Sequence, residues 1–150
     1  MDLILWRHAE AEEPGGKEDA ERELTKRGRK QAERMARWLR PLVDERSRIL
    51  VSPAKRTLQT VKPLERDFEE SQAVGLDATP SSILDAAGWP DAQGPVLVVG
   101  HQPTLGQVAA RLIGGTDGDT SIRKGAIWWF TSRDRDGRYE TVLKAVRDPD

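Results

Sequence analysis

The chain has 150 residues, 33% of them charged, a formal net charge of −1 and no cysteine. That length suits one domain, residues 1–150, with a real core. The charge balance gives no general pull toward nucleic acid or an anionic membrane, and no disulfide or thiolate metal site can form. No apolar run approaches the roughly 18–20 residues of a membrane span, and no basic segment followed by an apolar core opens the chain. The expectation is a soluble cytoplasmic protein, with a monomer favoured.

The first element is Leu3-Ile4-Leu5-Trp6, an apolar run that stops at Arg7-His8. It reads as a strand buried on both faces, with Arg7 and His8 at its C-terminal end. Glu10 to Glu21, with Pro14-Gly15-Gly16, reads as a solvated loop. Thr25 is an N-cap for a helix whose apolar face carries Ala32, Met35, Ala36 and Leu39, ended by Pro41. Arg48 to Val51 is a second strand. Ser52-Pro53 then reads as a cap with proline at the first helical position. Ala54, Leu58, Val61 and Phe68 mark the apolar side of that helix, with a kink expected at Pro63.

Between Glu69 and Pro95 the expectation is a short edge strand at Val74 to Leu76 and a short helix at Ser81 to Ala87. Val96 to Val99 is another buried strand, ending at Gly100-His101. Pro103 opens a helix carrying Leu105, Val108, Ala109 and Leu112, stopped by Gly114-Gly115. Ala126 to Thr131 and Tyr139 to Val146 form a hairpin around Asp136-Gly137. Asp148-Pro149-Asp150 reads as a frayed tail. The order predicts an α/β three-layer sandwich: a mostly parallel sheet, helices on both faces, and an antiparallel C-terminal edge hairpin.

Both of the chain's histidines leave the C-terminal end of a predicted strand. In open α/β sheets that edge is where ligands bind. Arg7 stands beside His8, Arg56 lies in the first turn after the second strand, and Arg22 ends the loop off the first. Guanidinium forks match phosphate oxygens and helix N-termini attract anions, so the expected ligand is a phosphoryl group. One imidazole can attack phosphorus and carry a covalent phosphoryl group, while the other, with the arginines, stabilises the transferring charge. No carboxylate cluster for magnesium and no third histidine for zinc accompanies them, so neither a metal nor a cofactor is expected. Neither G-x-G-x-x-G nor a P-loop occurs, which argues against a dinucleotide-binding domain. Lys26-Arg27-Gly28-Arg29-Lys30 reads as a solvated helix face rather than a nucleic-acid contact. Glu10 and Glu12 read as solvated loop residues. Trp128 and Trp129 are expected to divide between core and surface.

Arg7-His8, Ser52-Pro53 followed by Arg56, and Gly100-His101 together resemble the histidine phosphatase superfamily, also called phosphoglycerate mutase-like or RHG-motif proteins. The resemblance runs from Leu3 to about Thr131, with the pieces in the family's order. Leu24-Thr25 followed by Gly28 is similar to the family's "LT-x-x-G" helix start. The family's Arg-His-Gly has Ala9 at its third position here. The short length resembles the SixA-like branch, the small phosphohistidine phosphatases. The resemblance implies His8 as nucleophile, phosphoryl contacts from Arg7, Arg56 and His101, and a further one from Arg22.

One departure concerns the acid that protonates a leaving oxygen. Where one branch of the superfamily carries it, directly after the second histidine, this chain has Gln102. Where another branch carries it, before the third strand, the apolar-flanked acid is Asp85. A phosphoramidate leaves through a readily protonated nitrogen and needs less help than an alkoxide. The expected substrate is therefore phosphohistidine on a protein. The alternatives are a phosphomonoesterase for a small phosphorylated metabolite, using Asp85 or a loop carboxylate as acid, and a non-catalytic module that binds phosphate or a phosphopeptide.

Overall fold

The computed structural model describes residues 1–118 and 120–150. Its centre is β1 (Asp2–Arg7), whose side chains alternate between the two faces of one six-stranded sheet. Leu3 and Leu5 join one apolar cluster; Ile4 and Trp6 join the other. The period of two in a strand produces this division, and it explains why the run is apolar throughout. The expected three-layer α/β sandwich is observed.

α1 (Lys26–Leu39) starts at Thr25, whose hydroxyl accepts from the Gly28 N–H at 2.9 Å, as an N-cap should. It buries Ala32, Met35, Ala36 and Leu39. β2 (Arg48–Val51) follows, then α2 (Lys55–Val61). These two helices pack on the Ile4–Trp6 face, through Met35, Leu39 and Val61 among others. The expected helix after Ser52-Pro53 is shorter than its apolar spacing suggested. Its N-cap is Ala54, and at Lys62–Leu64 it tightens into a 3-10 turn that holds Pro63, so the helix ends there rather than kinking. Phe68 lies beyond it and is exposed.

The outermost parallel strand is β3 (Glu69–Glu70). The expected strand at Val74 to Leu76 is absent; Val74 belongs to a 3-10 turn instead and points into the core. Both strand residues are charged and exposed, so no apolar pattern marks the strand. α3 (Pro80–Ala87), β4 (Val96–Gly100) and α4 (Thr104–Gly114) complete the parallel half. α3 and α4 cover the Leu3–Leu5 face through Ile83, Leu105 and Val108. β5 (Ile127–Arg135) and β6 (Arg138–Arg147) form the hairpin, which extends further toward its turn than expected. Asp136 and Gly137 both take positive φ, the requirement of a two-residue primed turn.

The strand order is β3-β2-β4-β1-β5-β6. β1, β2, β3 and β4 run parallel; β5 and β6 are antiparallel to their neighbours. Trp128 and Trp129 go to opposite faces, and both pack against a core cluster. The C-terminal residues are not frayed: Pro149 is buried, and the Asp150 carboxylate accepts from Arg27 at 2.9 Å and Gln31 at 3.2 Å. No helix among the described residues is long and apolar enough to cross a membrane.

Candidate active site

β1 and β4 are parallel neighbours with Arg7 in register with Gly100, so His8 and His101 leave the sheet side by side. Their ring centroids are 5.4 Å apart. β2 flanks β4 and delivers Ser52 at the same edge. A cleft of about 340 Å³ lies there, lined by Arg7, His8, Asp19, Arg22, Arg56 and His101, with Glu13, Gln102 and Lys124 also contributing. All five of the residues expected at the site, Arg7, His8, Arg22, Arg56 and His101, therefore line one cleft.

The end of β1 is held on both sides. The His8 N–H donates to Gly100 O at 3.1 Å, and its carbonyl accepts from the Gly125 N–H at 2.9 Å. The Ala9 N–H donates to Thr60 Oγ1 at 3.1 Å, and that hydroxyl donates to Arg56 O at 2.7 Å. Thr60 thus ties the His8 segment to the helix that carries Arg56. Ala9, where the family has glycine, is buried among Leu24 and Ala32.

His8 Nδ1 lies 2.7 Å from the Ala9 carbonyl. A carbonyl only accepts, so Nδ1 carries the proton and Nε2 keeps its lone pair. Arg56 Nε lies 3.4 Å from that Nε2. Burial, together with the positive charge of Arg56 and Arg7 and the neighbouring His101, pushes the His8 pKa down to about 3, so the ring is neutral near pH 7. Burial and Arg56 push His101 down to about 4.

His101 Nε2 is 2.7 Å from Ser52 Oγ, and Ser52 Oγ accepts from the Ala54 N–H at 3.3 Å. Since Ser52 Oγ already accepts from Ala54, its hydroxyl proton is assigned to Nε2, which puts the His101 proton on Nδ1. Among the described residues that buried nitrogen has no partner, and neither does Arg7 Nε. Arg7 Nη1 donates to Ile122 O at 2.9 Å. Two unpartnered donors beside the His8 lone pair suit the oxygens of a tetrahedral anion. Burial, and then Arg56, also lowers the pKa of Arg7.

Arg56 is buried although its helix is short, and its Nη1 donates to the Asp19 carbonyl at 2.7 Å. The Asp19 carboxylate accepts from Arg56 Nη2 at 3.1 Å and from Arg22 Nη1 at 3.0 Å. Arg22 Nε is anchored on Glu12 O at 2.8 Å. Neither Asp19 nor the Ser52 hydroxyl was expected at the site. Asp19 is one acid among many in a loop that reads as solvated, and its spacing of three residues from Arg22 was the available signal. Ser52 was visible as a helix cap and as part of the family motif, with no role for its hydroxyl; the cap of α2 is Ala54 instead.

Asp85 is exposed on α3 and does not line the cleft. Gln102 does line it, but both amide atoms are committed: Nε2 donates to Thr120 O and Oε1 accepts from the Gly106 N–H, each at 2.9 Å. Gln102 therefore braces the start of α4. Among the described residues, the carboxylates that reach the cleft are Glu13 and Asp19, both from the loop after β1.

Comparison with known proteins agrees with this geometry. Residues 3–78 match the family model of the histidine phosphatase superfamily, branch 1. A phosphohistidine phosphatase SixA homolog of Haemophilus influenzae is 31% identical over 129 residues, covering 76% of this chain and 78% of that protein. The protein histidine phosphatase SixA, solved with tungstate, superposes with a TM-score of 0.76 at 24% identity over 99% of this chain and 97% of its own. A phosphoserine phosphatase mutant of Entamoeba histolytica, solved with phosphoserine, gives 0.73 at 16% identity, covering 99% and 97%. With its two strand-end histidines set in a cluster of guanidiniums, the chain belongs to branch 1 of the histidine phosphatase superfamily and is a phosphatase.

Proposed function

We propose that this phosphatase works through a covalent phosphohistidine at His8 and that its substrate is phosphohistidine on a protein. The observation that carries the mechanism is the bond from His8 Nδ1 to its neighbour's carbonyl, which leaves Nε2 unprotonated inside a cationic cleft. In the first step His8 Nε2 forms a bond to phosphorus as the substrate's P–N bond breaks, and the leaving imidazole takes up a proton from solvent. In the second, water attacks phosphorus, the bond to His8 breaks, and inorganic phosphate leaves. Arg7, Arg22, Arg56 and the His101 Nδ1–H bind the equatorial oxygens, where charge is spread in the transition state.

The P–N substrate is supported by the chain's 31% identity to a phosphohistidine phosphatase homolog. It is supported too by Gln102 and Asp85, the two positions considered for an acid: one is a structural amide and the other lies away from the cleft. A second reading, hydrolysis of a small phosphomonoester, draws on Glu13, a loop carboxylate that lines the cleft and could protonate an alkoxide.

The test is rapid-quench reaction of wild type and His8→Ala with phosphoramidate, a phosphohistidine peptide and phosphoserine. An acid-labile, base-stable phosphoprotein in wild type alone is expected, with kcat/KM highest for the phosphohistidine peptide. Labelling that persists in His8→Ala would remove the nucleophile assignment. A kcat/KM highest for phosphoserine would favour the monoester reading.

A further inference from the structure

The phosphoryl-binding arginines already hold an anion that belongs to the chain itself. Arg56 is buried, and all three of its nitrogens have partners: Nε toward His8 Nε2, Nη1 on the Asp19 carbonyl and Nη2 on the Asp19 carboxylate. The other carboxylate oxygen of Asp19 accepts from Arg22. Each oxygen thus takes a different arginine, and among the described residues no other carboxylate pairs with either. Arg22 and Arg56 hold the Asp19 carboxyl below the usual carboxylate range, so it stays charged near neutral pH. Its side chain is half exposed, 52%, and a rotation into water would free Arg22 Nη1 and Arg56 Nη2 without moving the backbone, while Arg56 Nη1 stays on the Asp19 carbonyl.

We propose that Asp19 is an internal competitor at this site: it occupies the Arg22 and Arg56 donors in the empty enzyme, keeps both guanidiniums in place, and sets a common threshold that every entering oxyanion must exceed. The inference rests on the proposed phosphoryl site at His8. A carboxylate and a phosphoryl group cannot share one guanidinium pair without like-charge repulsion. An entering ligand must therefore offer the arginines more than the carboxylate does. A phosphoryl dianion does so; a monoanion barely does. The same exchange run backward helps product leave, because Asp19 reclaims the arginines as inorganic phosphate departs.

The test compares tungstate, a tetrahedral dianion, with perrhenate, a tetrahedral monoanion, as ligands of wild type, Asp19→Asn, Asp19→Ser and Asp19→Glu. Dissociation constants are read by calorimetry and by competition with turnover. Removing the charge should tighten binding of both oxyanions about fivefold, the scale of one half-exposed ion pair. Product inhibition by phosphate should strengthen by the same factor, and Asp19→Glu should stay near wild type. If Asp19 only braces the arginines, Asn and Ser weaken binding; if it is only a proton donor, turnover falls with oxyanion affinity unchanged. Either result, in variants that melt as wild type does, overturns the proposal. Tungstate that binds wild type in competition with substrate upholds the phosphoryl site whatever the Asp19 variants do, so the two readings fail separately.

Discussion

Ser52 shows how a small residue can set the chemistry of a larger one. Its hydroxyl lies 2.7 Å from His101 Nε2, in a place with no solvent exposure, and decides which nitrogen of that ring faces the ligand as a donor. Ser52→Ala leaves Nε2 without its partner and lets the proton move to it, so Nδ1 loses its hydrogen. The variant should fold, and its kcat/KM on the preferred phosphorylated substrate should fall about tenfold, the worth of one buried hydrogen bond in the transition state. Steady-state kinetics beside a melting curve measure both; unchanged kinetics would show that the serine leaves the tautomer free. At this scale the site was partly legible. Arg7, His8 and His101 stand at the ends of unbroken apolar runs, so their placement follows from where strands stop. Asp19 was not legible, because Glu10, Glu12, Glu13, Glu18 and Glu21 crowd the same loop and only its tertiary path selects one acid.

The element that positions the Asp19 loop is the start of α1. The loop returns to the helix through Thr25, whose N–H donates to Glu10 O at 3.0 Å and whose hydroxyl donates to Glu10 Oε1 at 2.9 Å. Glu10 comes so close that a Cβ on Gly28 would sit 2.0 Å from its carbonyl oxygen. This is a physical reason for glycine at the end of Leu24-Thr25-x-x-Gly28. Gly28→Ala should destabilise the fold by about 1–3 kcal/mol, the range for overpacking, although alanine is the better helix former. It should also lower activity, since the displaced segment leads to Asp19 and Arg22. Urea denaturation decides this: a midpoint at or above wild type would mean that the loop yields without cost. Among the elements, α1, β2 and β4 were legible because apolar period and punctuation agree. The start of α2 was not, because Ser52-Pro53 has the form of a cap while the serine hydroxyl serves His101. β3 was hidden because its two residues are exposed glutamates, held to β2 by backbone pairing and an Arg48–Glu69 ion pair with no apolar pattern.

Across the whole molecule, the sheet order places the three catalytic-edge strands in an arrangement that sequence order does not show. β4 inserts between β1 and β2, so His101 comes beside His8 although the two lie 93 positions apart in the sequence. That insertion buries both imidazoles among guanidiniums, and the consequence is an acid-sensitive fold. In the unfolded chain both rings titrate near the ordinary histidine value of about 6.5. In the folded protein burial holds them neutral until about pH 3 for His8 and about pH 4 for His101. Between about pH 6.5 and 4 the unfolded state therefore binds more protons than the folded one, so stability rises with pH and is lost as pH falls. From about pH 7 to 5 the two rings together should cost about 2–4 kcal/mol, a large share of a typical domain's stability. Urea melts at both pH values test this, with a His8→Asn/His101→Asn double variant expected to lose much less. Bound tungstate should reduce the wild-type loss as well, because its charge favours protonated imidazoles and it binds only the folded state. Equal loss in wild type and the double variant would place the acid sensitivity elsewhere, in carboxylates such as Asp19 that arginines hold charged.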